Sequence, residues 1–368
     1  MTLRAEDGAR GLLAFALESM RRMQLESGLF CEEVVAGDRA PRGENLRYSL
    51  MSLLGLLKAE RTGYAHGYDL DRILVALDKR VDDPALRPGD YGLYLWVDAL
   101  CGRTNEAVLL ERLEGALSRG GGLARREGME AGWIVTGLAH QVAAGSNGST
   151  RPMLEDALDH LIARQDPRSG LFRHSGDGSF RSRFPNFATQ IYAVLALATV
   201  AKLGLPGGDR AAEAARRASE RLQELQMRDG GWPWLYDVES GHVVERYEVY
   251  TVHQDAMAPM GLLQLAEATG ERAHADAAVR GLQWIHGRNE LGLSMLDSRD
   301  TILYRSIRRR RPWDRLLLYA NTASAKVTGA GRVAPSGGPL ELNRTDRPYH
   351  LGWVLEAWCG RENVPARG

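Results

Sequence analysis

Hydrophobic positions recur with helical spacing along most of this chain, in two alternating styles. One style confines apolar residues to a single stripe and carries charge elsewhere, as over 9–24, 69–80, 105–118, 152–164, 210–227 and 273–288. The other is apolar on nearly every face, as over 46–59, 91–101, 129–144, 187–203, 252–268 and 350–359. A helix with one apolar stripe lies at a surface, and one that is apolar all round is buried. The styles take strict turns six times. That order predicts an all-α fold, a double-walled (α/α)6 barrel or toroid of six helical hairpins. Period-two alternation is scarce, and one domain over 1–368 is expected.

Connection lengths give the ring a polarity. Links from a buried helix to the next half-exposed one are short, as at 102–104, 204–209 and 269–272. Links in the other sense grow long, at 165–186, 228–251 and 289–349. In an alternating ring all links of one sense emerge at one end. The long loops are therefore expected on a common rim, where the buried helices begin, and long loops in compact folds tend to carry function.

Those loops share a local pattern. Glu26-Ser-Gly-Leu-Phe30, Arg168-Ser-Gly-Leu-Phe172 and Asp229-Gly-Gly-Trp232 each follow a half-exposed helix. A glycine there ends the helix in a left-handed turn, and the aromatic is placed to plug the gap between hairpins. Gln226-Met-Arg-Asp-Gly-Gly-Trp232 resembles the Gln-x-x-x-Gly-x-Trp repeat of squalene and oxidosqualene cyclases, within the terpenoid cyclase and protein prenyltransferase fold. Residues 165–172 are a looser copy, with one extra residue and Phe for Trp. The hairpin order is similar to that of six-hairpin glycosidases, polysaccharide lyases and sugar epimerases. These resemblances imply a fold more than an activity.

Composition narrows the partners. Lys plus Arg and Asp plus Glu both number 47, so nothing favours nucleic acid or an anionic membrane surface. The apolar run at 191–201 is too short to span a bilayer. Glu6 and Asp7 precede the first apolar run, where a secretory leader would carry basic residues. Cys31, Cys101 and Cys359 form neither a disulfide framework nor a metal clip. A soluble, cytoplasmic protein with no metal and no cofactor is expected, and its oligomeric state is left open.

The richest chemistry lies between the fifth half-exposed helix and the fifth buried one. Trp232, Trp234, Asp237, Glu239, His242, Glu245, Arg246, Glu248 and Tyr250 lead into His253, Gln254 and Asp255. Carboxylate pairs perform acid–base work on glycosidic bonds, and histidine titrates near neutrality. Asp237, Glu245, Glu248, Tyr250, His253 and Asp255 are the catalytic candidates. Asp255 is equally suited to cap its helix, and His253 to be a hydrogen-bonded core histidine. Other buried helices also begin with polar or aromatic residues: Asn45, Arg47 and Tyr48; Tyr91, Tyr94 and Trp96; Glu130 and Trp133; Asn186 and Gln190; Tyr349, His350 and Trp353. The arginines of the rim loops suit carboxylate, sulfate or phosphate; the run 308–311 taken alone reads as solvated. Substrate-binding candidates are Arg173, His174, Arg183, Trp232, Trp234, Arg246, Gln254, Arg305, Arg308, Arg347, Tyr349 and His350.

Three functions compete. The first is a carbohydrate-active enzyme (hydrolase, lyase or epimerase) taking an anionic small-molecule or oligosaccharide substrate. Two of the carboxylates would act in hydrolysis; His253 or Tyr250 would remove a proton beside a carboxylate in the other versions, with an arginine neutralising the charge. The second is a terpenoid cyclase or prenyltransferase-like enzyme. The Asp-x-Asp-Asp and Asp-Asp-x-x-Asp motifs of such enzymes are absent, and with 6 Phe the chain is poor in carbocation-stabilising rings. The third is a non-catalytic saccharide-binding module, with its rim carboxylates paired off by arginines. No HExxH, P-loop or GxSxG motif directs the reading elsewhere.

Overall fold

The computed structural model describes residues 8–38, 40–146, 148–310 and 339–364. Twelve α-helices lie among them: α1 Gly8–Arg21, α2 Leu46–Arg61, α3 Leu70–Asp78, α4 Pro88–Leu100, α5 Glu106–Arg119, α6 Gly128–Ala143, α7 Thr150–Ile162, α8 Phe187–Lys202, α9 Gly208–Leu225, α10 Ala258–Thr269, α11 Arg272–Ile285 and α12 Pro348–Trp358. The even-numbered helices pack in the order α2–α4–α6–α8–α10–α12 and back to α2, which closes the inner wall. Each odd-numbered helix from α3 to α11 lies against the even one before it, and α1 lies against α12. The predicted (α/α)6 toroid is the observed architecture. No helix among the described residues is long and apolar enough to cross a membrane.

The inner wall closes tightly because glycine lets helix backbones meet. A Cβ on Gly55 would stand 2.1 Å from the Gly352 carbonyl oxygen, joining α2 to α12. One on Gly137 would stand 2.0 Å from the Gly92 oxygen, joining α6 to α4, and one on Gly132 would stand 2.7 Å from the Tyr192 oxygen, joining α6 to α8. Any side chain at these positions would push two helices apart, which a close-packed interior resists.

The glutamine–glycine–aromatic pattern is a staple repeated three times. The Nε2 groups of Gln24, Gln165 and Gln226 donate to the carbonyls of Gly28, Gly170 and Gly230 at 3.2, 2.8 and 2.8 Å. Gln165 and Gln226 also reach the next odd-numbered helix, at Ala214 O (2.7 Å) and Ala277 O (3.1 Å). Phe30, Phe172 and Trp232 then insert, each at most 1% exposed. Their backbone N–H groups donate to Ser49 Oγ, Gln190 Oε1 and Gln254 Oε1 on the next inner segment. Burying each Phe is worth about 1.5–3 kcal/mol. The likeness to the cyclase repeat is thus carried by a structural joint between hairpins.

Connections into the inner helices gather on one rim and pair through short strands: β1 Val34–Val35, β2 Leu235–Tyr236, β3 Val243–Glu245, β4 Val249–Tyr250, β5 Leu296–Asp297, β6 Ile302–Leu303, β7 Ser306–Arg309, β8 Leu340–Asn343 and β9 Thr345–Asp346. β1 pairs with β9, β2 with β3, and β5 with β6, while β4, β7 and β8 form a three-stranded antiparallel sheet. Asn186 bridges Leu235, and His174 O accepts from Gly128 N, so the remaining loops join the same rim. The loops bearing Arg183, Glu248 and Arg308 therefore share one face. Arg311, the last member of the expected arginine run, lies outside the described residues.

Candidate active site

A cavity of about 210 Å³ opens where the inner helices begin. Its lining comes from five of the six inner segments and two rim loops. α2 gives Arg47, Tyr48 and Met51; α6 gives Met129 and Trp133; α8 and its N-cap give Asn186, Ala188 and Tyr192. The segment entering α10 gives Val252, His253 and Met257, α12 gives Tyr349, and the loops add Trp234, Tyr250 and Arg305. Among the described residues, no Asp or Glu is in this lining. A second cavity, of about 260 Å³, sits between α3, α4 and α5 on the outer wall, where Arg103 is already paired with Asp78 at 2.7 Å.

His253 opens a π-helical turn, His253–Met257, that runs into α10. Its ring lies parallel to Trp234, with centroids 6.2 Å apart, and against Tyr250 at 5.2 Å and Phe187 at 4.9 Å. It makes no side-chain hydrogen bond among the described residues, and Nδ1 is buried without a partner. Burial, reinforced by His350 when it is protonated and by Arg305, pulls its pKa down to about 3, so the imidazole is neutral near pH 7.

Arg305 sits beside Tyr250, its guanidinium 5.2 Å from the ring centroid. It forms no ion pair among the described residues, and Nη1 is buried without a hydrogen-bond partner. Burial works against its charge, but Tyr349, Tyr250 and Tyr48 outweigh that and raise its pKa, so it stays cationic. The other arginine of the lining, Arg47, is neutralised by Asp90 through a two-pronged contact at 2.5 and 2.9 Å, above the Trp133 ring.

Glu248 clamps the sheet next to Arg305. Tyr250 on β4 donates to its Oε2 at 3.1 Å, while Ser306 on β7 and Asn343 on β8 (3.4 Å) donate to its Oε1. Tyr250 pairs with Ser306 and Ser306 with Asn343 across the strands, so one carboxylate ties a row of three.

The other sequence candidates lie outside the lining. Asp237 is 1% exposed and takes both prongs of Arg183 at 2.7 and 2.6 Å. Burial would raise its pKa, but bonds from Arg183 and Ser240 prevail and hold it low. Glu245 accepts from Arg309 at 3.1 Å and from Tyr247 N at 3.0 Å. Asp255 is fully buried, 2.7 Å from His350 Nε2, and burial raises its pKa against the pull of that histidine. It does not cap an exposed helix end. Arg173 pairs with Asp166 and Glu239 at 3.6 Å, Arg246 with Asp229 and Glu290 at 2.7 and 2.9 Å, and Arg308 with Glu341 at 2.9 Å. His174 contacts Thr189 Oγ1 at 3.2 Å. Arg347 donates to Tyr48 OH at 2.5 Å and faces Glu33 at 3.5 Å. Trp232 and Gln254 belong to the staple.

Several residues grouped at the mouth by sequence point elsewhere. The hydroxyls of Tyr91 and Tyr94 donate to carbonyls of Val81 and Leu77 in and beside α3. Trp96 stacks on His140 and Trp353 inside the ring. Conversely, Met51, Ala188, Tyr192, Val252 and Met257 line the cavity without having been singled out. Their signal was spacing: Met51 and Met257 follow Arg47 and His253 by four residues, the same helix face one turn on.

No protein-family model matches the sequence, and no curated protein matches it. By structure it is similar to a sugar epimerase from a ruminal bacterium, with a TM-score of 0.65 at 12% identity over 96% of this chain and 98% of that one. Cellobiose 2-epimerase from Bacillus thermoamylovorans gives 0.66 at 11% identity, over 96% and 98%. A family 88 glycosyl hydrolase from Bacteroides vulgatus gives 0.58 at 10% identity, over 97% and 100%. At such identities the likeness is one of fold: the chain has the (α/α)6 toroid shared by the six-hairpin, glycosidase-like structures.

Proposed function

We propose that this chain is a carbohydrate-active enzyme that removes a proton from a carbon beside a carbonyl or carboxyl group of an acidic saccharide, in the manner of an epimerase or lyase. The observation that carries this reading is the pairing, in one cavity, of a neutral histidine with an arginine, where His253 Nδ1 and Arg305 Nη1 have no hydrogen-bonding or ionic partner among the described residues. His253 accepts the proton, its basicity raised as the anionic substrate comes to lie beside it. The electron pair left behind moves onto the carbonyl or carboxylate oxygen, where Arg305 neutralises the developing charge. Return of a proton to the opposite face gives an epimer, and loss of a group from the next carbon gives an elimination product. Tyr250 is less suited to be the base because its hydroxyl is bonded to Glu248.

Hydrolysis needs two carboxyl groups facing the scissile bond, about 5–9.5 Å apart, and the described residues of this lining offer none. Two guanidinium groups in it argue against a carbocation cavity. The pairing of Asp237 and Glu245 with arginines favours a binding module over a hydrolase, but does not account for an unbonded histidine.

The test is proton exchange. The protein is incubated in D2O with glucuronic acid, galacturonic acid, their disaccharides and cellobiose, and followed by proton NMR. Exchange of a carbon-bound proton, or new epimer or alkene signals, abolished in His253→Ala, is the expected result. Binding of a sugar without exchange would favour the module instead.

A further inference from the structure

The cavity has two levels, and they differ in chemistry. Arg47, Asn186, His253 and Tyr349 belong to the first turns of the inner segments, at the rim end, together with Met129 and Ala188. About one turn on from Arg47, Met129, Ala188 and His253, the lining is Met51, Trp133, Tyr192 and Met257. The hydrogen-bonding capacity of this floor is slight. Thioether sulfurs are weak acceptors, Trp133 Nε1 is sealed from solvent, and the Tyr192 oxygen already accepts from Trp353 Nε1 at 2.7 Å, which leaves its O–H as the one strong donor at this level.

We propose that the sugar bound here carries a methyl group, as a 6-deoxy or O-methyl sugar does, and enters with that methyl leading onto the methionine floor. The inference rests on the reading of the cavity as a saccharide site. An ordinary pyranose has hydroxyls around its rim. Any hydroxyl turned toward Met51 and Met257, away from the Tyr192 O–H, would give up water and meet only weak thioether acceptors. A methyl group loses nothing there, and methionine's flexible, polarisable side chain adapts to it. The polar groups at the mouth then meet the hydroxylated and charged remainder of the ring.

The test is isothermal titration of the full chain with two pairs of sugars, each differing at one group. The pairs are D-galactose with D-fucose, its 6-deoxy counterpart, and D-glucuronic acid with its 4-O-methyl ether. The methyl-bearing member should bind about tenfold more tightly, or better, in at least one pair, the range a single group commands in an apolar pocket. Met257→Gln should reduce that preference toward unity and Met257→Leu should keep it, with both variants checked for folding by circular dichroism. Equal or tighter binding of the hydroxylated member in both pairs overturns the inference alone. If none of the four sugars binds, the saccharide reading fails and the inference falls with it.

Discussion

His350 Nε2 stands 2.7 Å from Asp255 Oδ1, and both side chains are buried. The second Asp255 oxygen has no partner among the described residues, so an ionised carboxylate here depends on a proton donated by His350. That contact fixes the histidine as its Nε2–H tautomer and leaves Nδ1 as the acceptor. Asp255→Asn offers an amide donor in the same place and should shift the tautomer to Nδ1–H. Long-range nitrogen–proton NMR of the His350 ring reads this directly, and an unchanged tautomer would dismiss the coupling.

Glu248 holds Tyr250, Ser306 and Asn343 in one row, and Tyr250 in turn packs against His253 and Arg305. Glu248→Gln keeps the shape but replaces an acceptor oxygen with an N–H group. The variant should stay folded and lose proton-exchange activity by on the order of tenfold to a hundredfold, the scale of a small displacement of reacting groups. Full activity would show that the row has slack.

Arg183 was a substrate-binding candidate by sequence, yet its guanidinium is bound to a carboxylate that is 1% exposed. Removing it strands that charge. Arg183→Ala should cost about 3–5 kcal/mol in urea denaturation, while sugar affinity of the folded fraction is unchanged. A stable variant with weakened sugar binding would restore the ligand role.

The alternation of two helix styles was legible because burial on all sides demands an all-apolar helix. The predicted 187–203 became Phe187–Lys202, and 69–80 became Leu70–Asp78. The strands were not legible, since pieces such as Val34–Val35 or Leu296–Asp297 are too short to show a period. His253, Trp234, Tyr250, Arg305 and Tyr349 were named as candidates and do meet in one cavity. Which of the many rim charges stay unpaired was not legible. The Arg47–Asp90 and Arg183–Asp237 pairs join residues 43 and 54 positions apart in the chain, and only the closed ring decides such partnerships.

Asp346 introduces a dependence on pH. It is wholly buried, and although Leu303 N and Arg347 N donate to it at 2.8 and 2.7 Å, burial dominates and pushes it up to about 6 from 3.8. Between those values the folded chain keeps a proton that the unfolded chain releases. Its stabilising contribution is therefore present at low pH and lost as pH rises from about 4 through about 6, by about 3 kcal/mol. Denaturation of wild type and Asp346→Asn at pH 4, 5, 6 and 7 isolates this loss, because the difference between the two should shrink by that amount. A constant difference would contradict it.

Gly137 presses its backbone against the carbonyl of Gly92. Gly137→Ala should cost about 3 kcal/mol or more through forced separation of α6 from α4, read as a lower urea midpoint. A melt within experimental error of wild type would mean that the wall yields more easily than its packing implies.

The last inner helix, α12, lies against α1 and α2 on one side and α10 on the other. A chain still emerging from the ribosome, with this segment inside the exit tunnel, has an open horseshoe in place of a ring and lacks the Tyr349 wall of the pocket. Ring and pocket wall are therefore completed together, once α12 has left the tunnel, and a translation product that stops before α12 has neither.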